Sequence, residues 1–349
     1  MHWREIMNYL LYCAFGETKY INMAVYSILS YINSYGNPGK EISLVIFTNN
    51  VIPFKKALSE YEGNIIYEKI SDSTLDDWLN GTNYMPRLKI KSLQYFFEKY
   101  TGNVLFIDCD TFHIKNIEHL FDKINDNRFI LFSKCPSIRE YLKFLGEYFK
   151  KYPTDFPFSL YKLCLDLEKT GFITDGQKKY SISLSFCEYN SGVIGMNAKY
   201  LPLLDEVLNL SDIIYKKYHY WCAEEFAFSY VISQIQEIVT CEDSIYHYFN
   251  DKWCRFILAD LFGCNDENDI DEFDKYLKQN NLASLKGSID INCEDLPFLI
   301  QFVREYILKL GTDILHFFYF TDDSYHAFVV KNFKTYKKIE QLMKAQSHL

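Results

Sequence analysis

The run Val104-Leu105-Phe106-Ile107 passes directly into Asp108-Cys109-Asp110, and it constrains the chain more than any other stretch. Four successive apolar residues suit a strand covered on both faces, as in a sheet sandwiched between helices. In open sheets of that kind, ligands bind beyond the carboxyl ends of the strands. The strand therefore delivers two acids to the place where a ligand is expected. Asp108 and Asp110 are two apart, so continued strand geometry points them the same way. A close pair of carboxylates needs a counter-charge; a divalent cation supplies it and in turn suits a phosphate. The plainer alternative makes both acids turn formers at a strand end.

The flanking sequence alternates as an α/β sheet does. Residues 9–15 are apolar and end at Gly16. Thr18 is placed to cap a helix whose Ile21, Val25, Ile28, Leu29 and Ile32 share one face. Strand–turn–helix openings suit nucleotides, although a plain β-α unit reads the same way. Residues 42–47 and 64–70 are further strands, and 71–81 a polar loop with a short helix. Pro86 opens a helix that buries Ile90, Leu93, Phe97 and Tyr100. Arg87 and Lys91, four apart, share another face, either reaching phosphates near the acids or forming a solvated basic edge.

Residues 129–133 form the next strand, and 136–186 read as an insertion on the acceptor side of a site. The stretch Glu188-Tyr189-Asn190-Ser191-Gly192-Val193 leads polar groups into an apolar strand, with Gly192 allowing close approach of backbone. Glu224 and Glu225 open the helix 223–235, where acids complement the helix dipole unless the fold sets them beside Asp108. Residues 238–240 make a last strand. His247 follows among aromatics, a packed histidine or a metal ligand. From Trp253 onward the pattern is helical. Its tail, with Lys331, Lys334, Lys337, Lys338 and Lys344, is a solvated basic helix or one that touches an anionic membrane surface.

A net charge of −9 argues against a nucleic-acid footprint, and no segment approaches the ~20 apolar residues of a membrane span. Ten cysteines are scattered without a C-x-x-C pair and without a secretory signal, which points to reduced thiols in a cytoplasm.

The order of these parts is itself informative: a strand–helix opening, an apolar strand ending in D-x-D at Asp108 and Asp110, N-S-G-V from Asn190, A-E-E-F-A-F-S from Ala223, and H-Y-F-N-D-K from His247. Over about residues 8–255 this resembles the GT-A glycosyltransferases, nearest the family-8-like enzymes that use sugar nucleotides. The resemblance implies a Rossmann-like mixed sheet flanked by helices over 1–255 and a helical C-terminal extension over 256–349. Asp108, Asp110 and His247 would hold Mn2+ or Mg2+ on the diphosphate of a sugar nucleotide. Asp108 would also stand near the ribose, with Cys109 beside it. Ala14, Phe15, Gly16 and Thr18 would face base and ribose, and Arg87 the nucleotide and sugar.

Asn190 would lie near the donor sugar. Glu224 and Glu225 fall where retaining members have D-Q, so Glu225 would place a carboxylate beside the reacting sugar. The family follows its histidine with Gly three residues on and Lys six on; here Asn250 and Lys252 stand three and five on, which leaves Lys252 as a diphosphate contact in doubt. The resemblance favours UDP and retention, with a glycan, lipid-linked glycan or protein hydroxyl as acceptor. Two other readings stay open: a haloacid-dehalogenase-type phosphatase, whose D-x-D-x-[TV] meets Phe112 at its fifth position, and a catalytically silent sugar-nucleotide binder.

Overall fold

The apolar runs of the sequence assemble into one twisted sheet. A computed structural model describes residues 7–35, 41–151 and 158–249. Residues 7–147 and 159–249 belong to one compact unit; only 148–151 and 158 of a second unit are described. Lys252, the extension 256–349 and its basic tail lie outside the described residues.

In chain order the elements are β1 (Asn8–Ala14), α1 (Thr18–Tyr35), β2 (Ile42–Thr48), α2 (Ile52–Ala57), β3 (Ile65–Lys69), α3 (Asp72–Leu79), α4 (Arg87–Lys99), β4 (Asn103–Ile107), β5 (Thr111–His113) and α5 (Glu118–Asn125). There follow β6 (Phe129–Ser137), α6 (Ile138–Lys151), α7 (Phe158–Thr170), β7 (Phe172–Thr174), β8 (Lys179–Ser181), β9 (Cys187–Asn197), α8 (Leu203–Tyr218), α9 (Ala223–Ser233), β10 (Ile238–Thr240) and β11 (Ile245–His247). The segment 136–186 thus consists mainly of α6, α7 and the β7–β8 hairpin. Among the described residues no helix is long and apolar enough to cross a membrane.

Seven strands form the main sheet in the order β10-β6-β9-β4-β1-β2-β3. β3, β2, β1 and β4 run parallel; β9 is antiparallel to both β4 and β6. Every residue of β4 is buried, as an unbroken apolar run requires. Leu105 and Phe106 alone contribute about 1.5–3 kcal/mol each by leaving water. Leu10, Tyr12, Leu105 and Ile107 pack with Ile21, Val25 and Ile28 of α1 and with Leu120, Phe121 and Ile124 of α5. On the opposite face Tyr9 and Phe47 meet Phe96 of α4. Gly102 (φ +130°) enters β4 with its Cα against the Met7 carbonyl, where any Cβ would collide with backbone.

One local expectation is corrected. β4 stops at Ile107, and Asp108 to Asp110 lie on a bend before β5 rather than on a continued strand. Thr18 likewise is the first helical residue of α1, not the residue preceding it.

Candidate active site

The antiparallel β9 decides what meets the acids. Ile107 is opposite Val193, so Asn190, Ser191 and Gly192 run past the carboxyl end of β4. The Asp108 N–H donates to the Gly192 carbonyl at 2.8 Å. β11 pairs with β5 so that His247 is opposite Thr111, and Tyr248 N–H donates to the Asp110 carbonyl at 2.9 Å. Two long-range pairings thus bring His247 over the bend. Oxygens of Asp108 and Asp110 and a ring nitrogen of His247 lie within 4.8 Å of one another. Gly192 is packed against the imidazole, leaving no room for a Cβ.

The histidine's tautomer follows from its neighbours. Asn190 Oδ1 accepts the Gly192 N–H at 2.9 Å, which fixes that end of the amide as the oxygen. The same Oδ1 lies 2.9 Å from His247 Nδ1, so Nδ1 carries a proton and donates it. In the neutral ring Nε2 then bears the lone pair, and it faces Asp110 Oδ1 at 3.1 Å. Two acceptors at that distance require a proton or a cation between them. Two carboxylates plus one imidazole oriented through its other nitrogen are a donor set that Mn2+ fits, and that Mg2+, with its preference for oxygen, fits less well.

Behind the bend a buried polar chain holds its shape. Thr111 Oγ1 donates to the Asp108 carbonyl at 2.8 Å, Ser27 Oγ bonds Thr111 Oγ1 at 2.8 Å, and Tyr12 links Ser27 to His113 Nε2 at 3.0 and 2.9 Å. Burial pushes the His113 pKa down to about 3, so this link is neutral.

Beside the triad sit an ammonium and three acids, of which Glu188 and Glu224 are buried. Lys89 Nζ is 2.9 Å from Asp108 Oδ2, 3.4 Å from Glu224 Oε1 and 2.9 Å from Ser191 Oγ. Burial by itself would discharge Lys89, but the carboxylates of Asp108, Glu224 and Glu225 outweigh it and raise its pKa. Ser191 Oγ and Tyr84 OH donate to the two oxygens of Glu224 at 3.1 and 3.0 Å. Glu225 accepts from Asn190 Nδ2 at 3.0 Å. Burial first, then the charges of Glu224 and Glu188, lift its pKa well above the carboxylate range.

Glu188, 4% exposed, accepts from Tyr220 OH at 2.9 Å. Burial pushes it up to about 8, with Tyr220 opposing and Glu224 adding to the rise. Between the ordinary glutamate pKa, about 4.3, and about 8, the folded chain holds a proton on Glu188 that the unfolded chain has lost. Stability therefore falls as pH rises through that window. Glu188→Gln is expected to lessen the loss between pH 5 and pH 8 by on the order of a few kcal/mol. Thermal melts of both proteins across that range read it, and parallel curves would contradict the assignment.

Asp108, Asp110, Asn190, Glu224, Glu225 and His247 are thus brought together. The remaining expected site residues take other partners or lie along the same edge. Arg87 does not join the cluster: its Nε pairs with Asp212 of α8 at 3.0 Å and its Nη1 donates to the Trp78 carbonyl. Lys91 bonds Gln94, which bonds Asp205. The Cys109 thiol, between the two acids in the chain, donates to the Cys13 carbonyl at 3.1 Å. Ala14, at the carboxyl end of β1, is buried, and the Phe15, Gly16 and Thr18 that follow lie on the same sheet edge as Asp108. Gly16 N–H donates to Asn49 Oδ1 at 3.4 Å. Lys89 is the residue that sequence reasoning missed. The signal was present, since Lys89, Ser92, Leu93 and Phe96 follow helical spacing and the last three are buried.

A mixed sheet flanked by helices, with the D-x-D bend at the carboxyl end of its fourth strand, completes the picture. The fold is α/β, a seven-stranded mixed sheet flanked by helices. Among solved structures the chain is similar to mouse xyloside xylosyltransferase 1 in its apo form, at 13% identity over 68% of this chain and 85% of that one, TM-score 0.41. It is similar to the galactosyltransferase LgtC in complex with donor and acceptor sugar analogues, at 11% identity over 63% and 69%, TM-score 0.40. A third is core-mannan synthase A from Aspergillus fumigatus in its Mn/GDP form, at 10% identity over 71% and 76%, TM-score 0.38. No family model matches the chain, and no curated protein does.

Proposed function

We propose that this chain is a metal-dependent glycosyltransferase that moves a sugar from a nucleotide diphosphate, UDP in the first instance, to an acceptor hydroxyl. The observation that carries the reading is the convergence of Asp108, Asp110 and a ring nitrogen of His247 within 4.8 Å, with the ring oriented by its Nδ1 bond to Asn190. Asp108, Asp110 and His247 would hold the cation. When bound, the metal neutralises charge developing on the leaving diphosphate.

The chain's own groups do the rest. Asn190 keeps the proton of His247 on Nδ1. Lys89 adds a fixed positive charge beside Asp108, where negative charge would develop on the leaving group. Lys89, Ser191 and Tyr84 fix Glu224 from both of its oxygens. Glu225 is positioned by Asn190 and the Ser191 N–H. Its raised pKa makes it a stronger proton acceptor once ionised, which suits a general base in an inverting reaction. In its ionised form it would stabilise the cation-like sugar or attack it in a retaining one; the family resemblance favours retention.

A thermal-shift panel of UDP- and GDP-sugars, each with and without Mn2+, tests the proposal. The expected result is a rise of several degrees that needs both the metal and one nucleotide class, as for a ligand at ~100 times its Kd. No shift with any combination would overturn the reading. Metal-dependent hydrolysis of p-nitrophenyl phosphate without a nucleotide response would favour the phosphatase.

A further inference from the structure

Glu224 has two sides. One oxygen takes Lys89 and Ser191, which lead to the D-x-D bend. The other takes the hydroxyl of Tyr84, which also accepts the Glu224 N–H at 2.8 Å. Tyr84 belongs to an aromatic patch. Its ring is fully buried and stacks on Tyr215 at 4.0 Å and 20°. Trp221 stands edge-on to it at 5.9 Å and 88°.

Trp221 is nonetheless 45% exposed, and Met85, next to Tyr84 in the chain, 50%. Single exposed apolar residues are ordinary, but this one is set against a ring that is fixed on both ends. Tyr84 is held by Glu224 at its hydroxyl and by Tyr215 at its face, so Trp221 is presented on a rigid base and loses little freedom on binding. Polar groups surround the patch. Asn83, exposed, accepts the Tyr215 hydroxyl at 3.0 Å. His219, exposed and in the left-handed region at φ 55°, stands 5.8 Å from the Tyr215 ring. An aromatic surface with a few planar hydrogen-bonding groups at its rim fits a ligand with an apolar face and a polar edge. A pyranose ring has that form: axial C–H bonds on one face and hydroxyls around the rim.

We propose that Trp221, on the base formed by Tyr84 and Tyr215, is the stacking platform of the acceptor subsite, holding a pyranose ring of the acceptor on the side of Glu224 away from the D-x-D bend. This rests on the glycosyltransferase reading. The donor belongs with Asp108, Asp110 and His247, so the second sugar a transferase must hold takes the other side of the shared carboxylate.

The test uses the full chain labelled with 5-fluorotryptophan, with Mn2+ and UDP present so that no transfer occurs. Methyl glycosides of galactose, glucose, mannose and xylose are titrated, and 19F resonances are followed. At least one glycoside is expected to shift the Trp221 signal, which is assigned by its loss in Trp221→Phe. By saturation-transfer difference, Trp221→Ala should bind that glycoside about tenfold more weakly, and Trp221→Phe should retain most of the affinity. The nucleotide-dependent thermal shift of both variants reports that they are folded. A chain that responds to UDP and Mn2+ but shows no glycoside shift at Trp221, or a Trp221→Ala variant that binds as tightly as the parent, overturns the platform alone. Glycoside contact at Trp221 in a chain that shows no nucleotide shift leaves the platform standing and overturns the transferase reading.

Discussion

Asp110→Asn is expected to remove the response to metal while leaving the fold intact. The substitution keeps the size of the side chain but takes away its charge. It also offers an amide N–H to the lone pair of His247 Nε2, now 3.1 Å from Asp110 Oδ1. A hydrogen bond would then occupy the position the cation needs, so the metal loses two of its three ligands at once. Loss of a group that merely orients a ligand costs 10- to 100-fold in metal affinity, and loss of a ligand costs at least roughly 100-fold. Calorimetric titration with Mn2+ reads the affinity, and a thermal melt in chelator reads the fold. The melt should stay within a few degrees of the parent. Unchanged Mn2+ affinity would remove Asp110 from the site, and with it the basis for the proposed function.

Lys89→Met is expected to have the largest effect on stability. The ammonium stands between Asp108 and Glu224, with side-chain exposure of 10% against 22% and 4% for the two acids. Removing one member of a buried ion pair leaves the other charge buried without it, at a cost of about 3–5 kcal/mol. For a domain of this size that lowers the melting temperature by ~10 °C. The sign with pH follows from the carboxyls. Burial raises the Asp108 pKa, and Lys89 and His247 hold it back. Without Lys89 the acid binds its proton at higher pH, so the deficit of Lys89→Met shrinks as pH falls and the carboxyls neutralise. Adding Glu224→Gln should recover part of the loss, a coupling that a double-mutant cycle measures. Additive effects at every pH would mean that the pair contributes nothing.

Much of the sheet was legible because its strands are buried on both faces. A continuous apolar run such as Val104 to Ile107 has few other stable fates, and the helical spacing in α1 and α4 is equally direct. The acids of the site were legible for a related reason. Charges at the end of a buried strand, or at the start of a helix such as α9, need a partner, and that need marks them as candidates.

Arg87 and Lys89 show where this reasoning stops. Both are basic, two residues apart on α4, and both carry part of their length into the protein. Which of them meets the acids depends on the rotation of α4 against the sheet and on Asp212, which α8 brings up to take Arg87. The D-x-D geometry behaved similarly. Strand continuation predicted that Asp108 and Asp110 point the same way. They do converge, but through a bend braced by Thr111, Ser27 and Tyr12, which come from three separate elements.

Taken alone, the sequence determined the sheet strands and the acids that stand at the carboxyl end of β4, because each follows from burial and charge within a short stretch. Only the tertiary structure decided the histidine's tautomer, the choice of Lys89 over Arg87, and the aromatic patch beyond Glu224. Those depend on pairings between residues as distant in the chain as Asn190 with His247 and Tyr84 with Glu224, and local periodicity carries no record of which distant groups will meet.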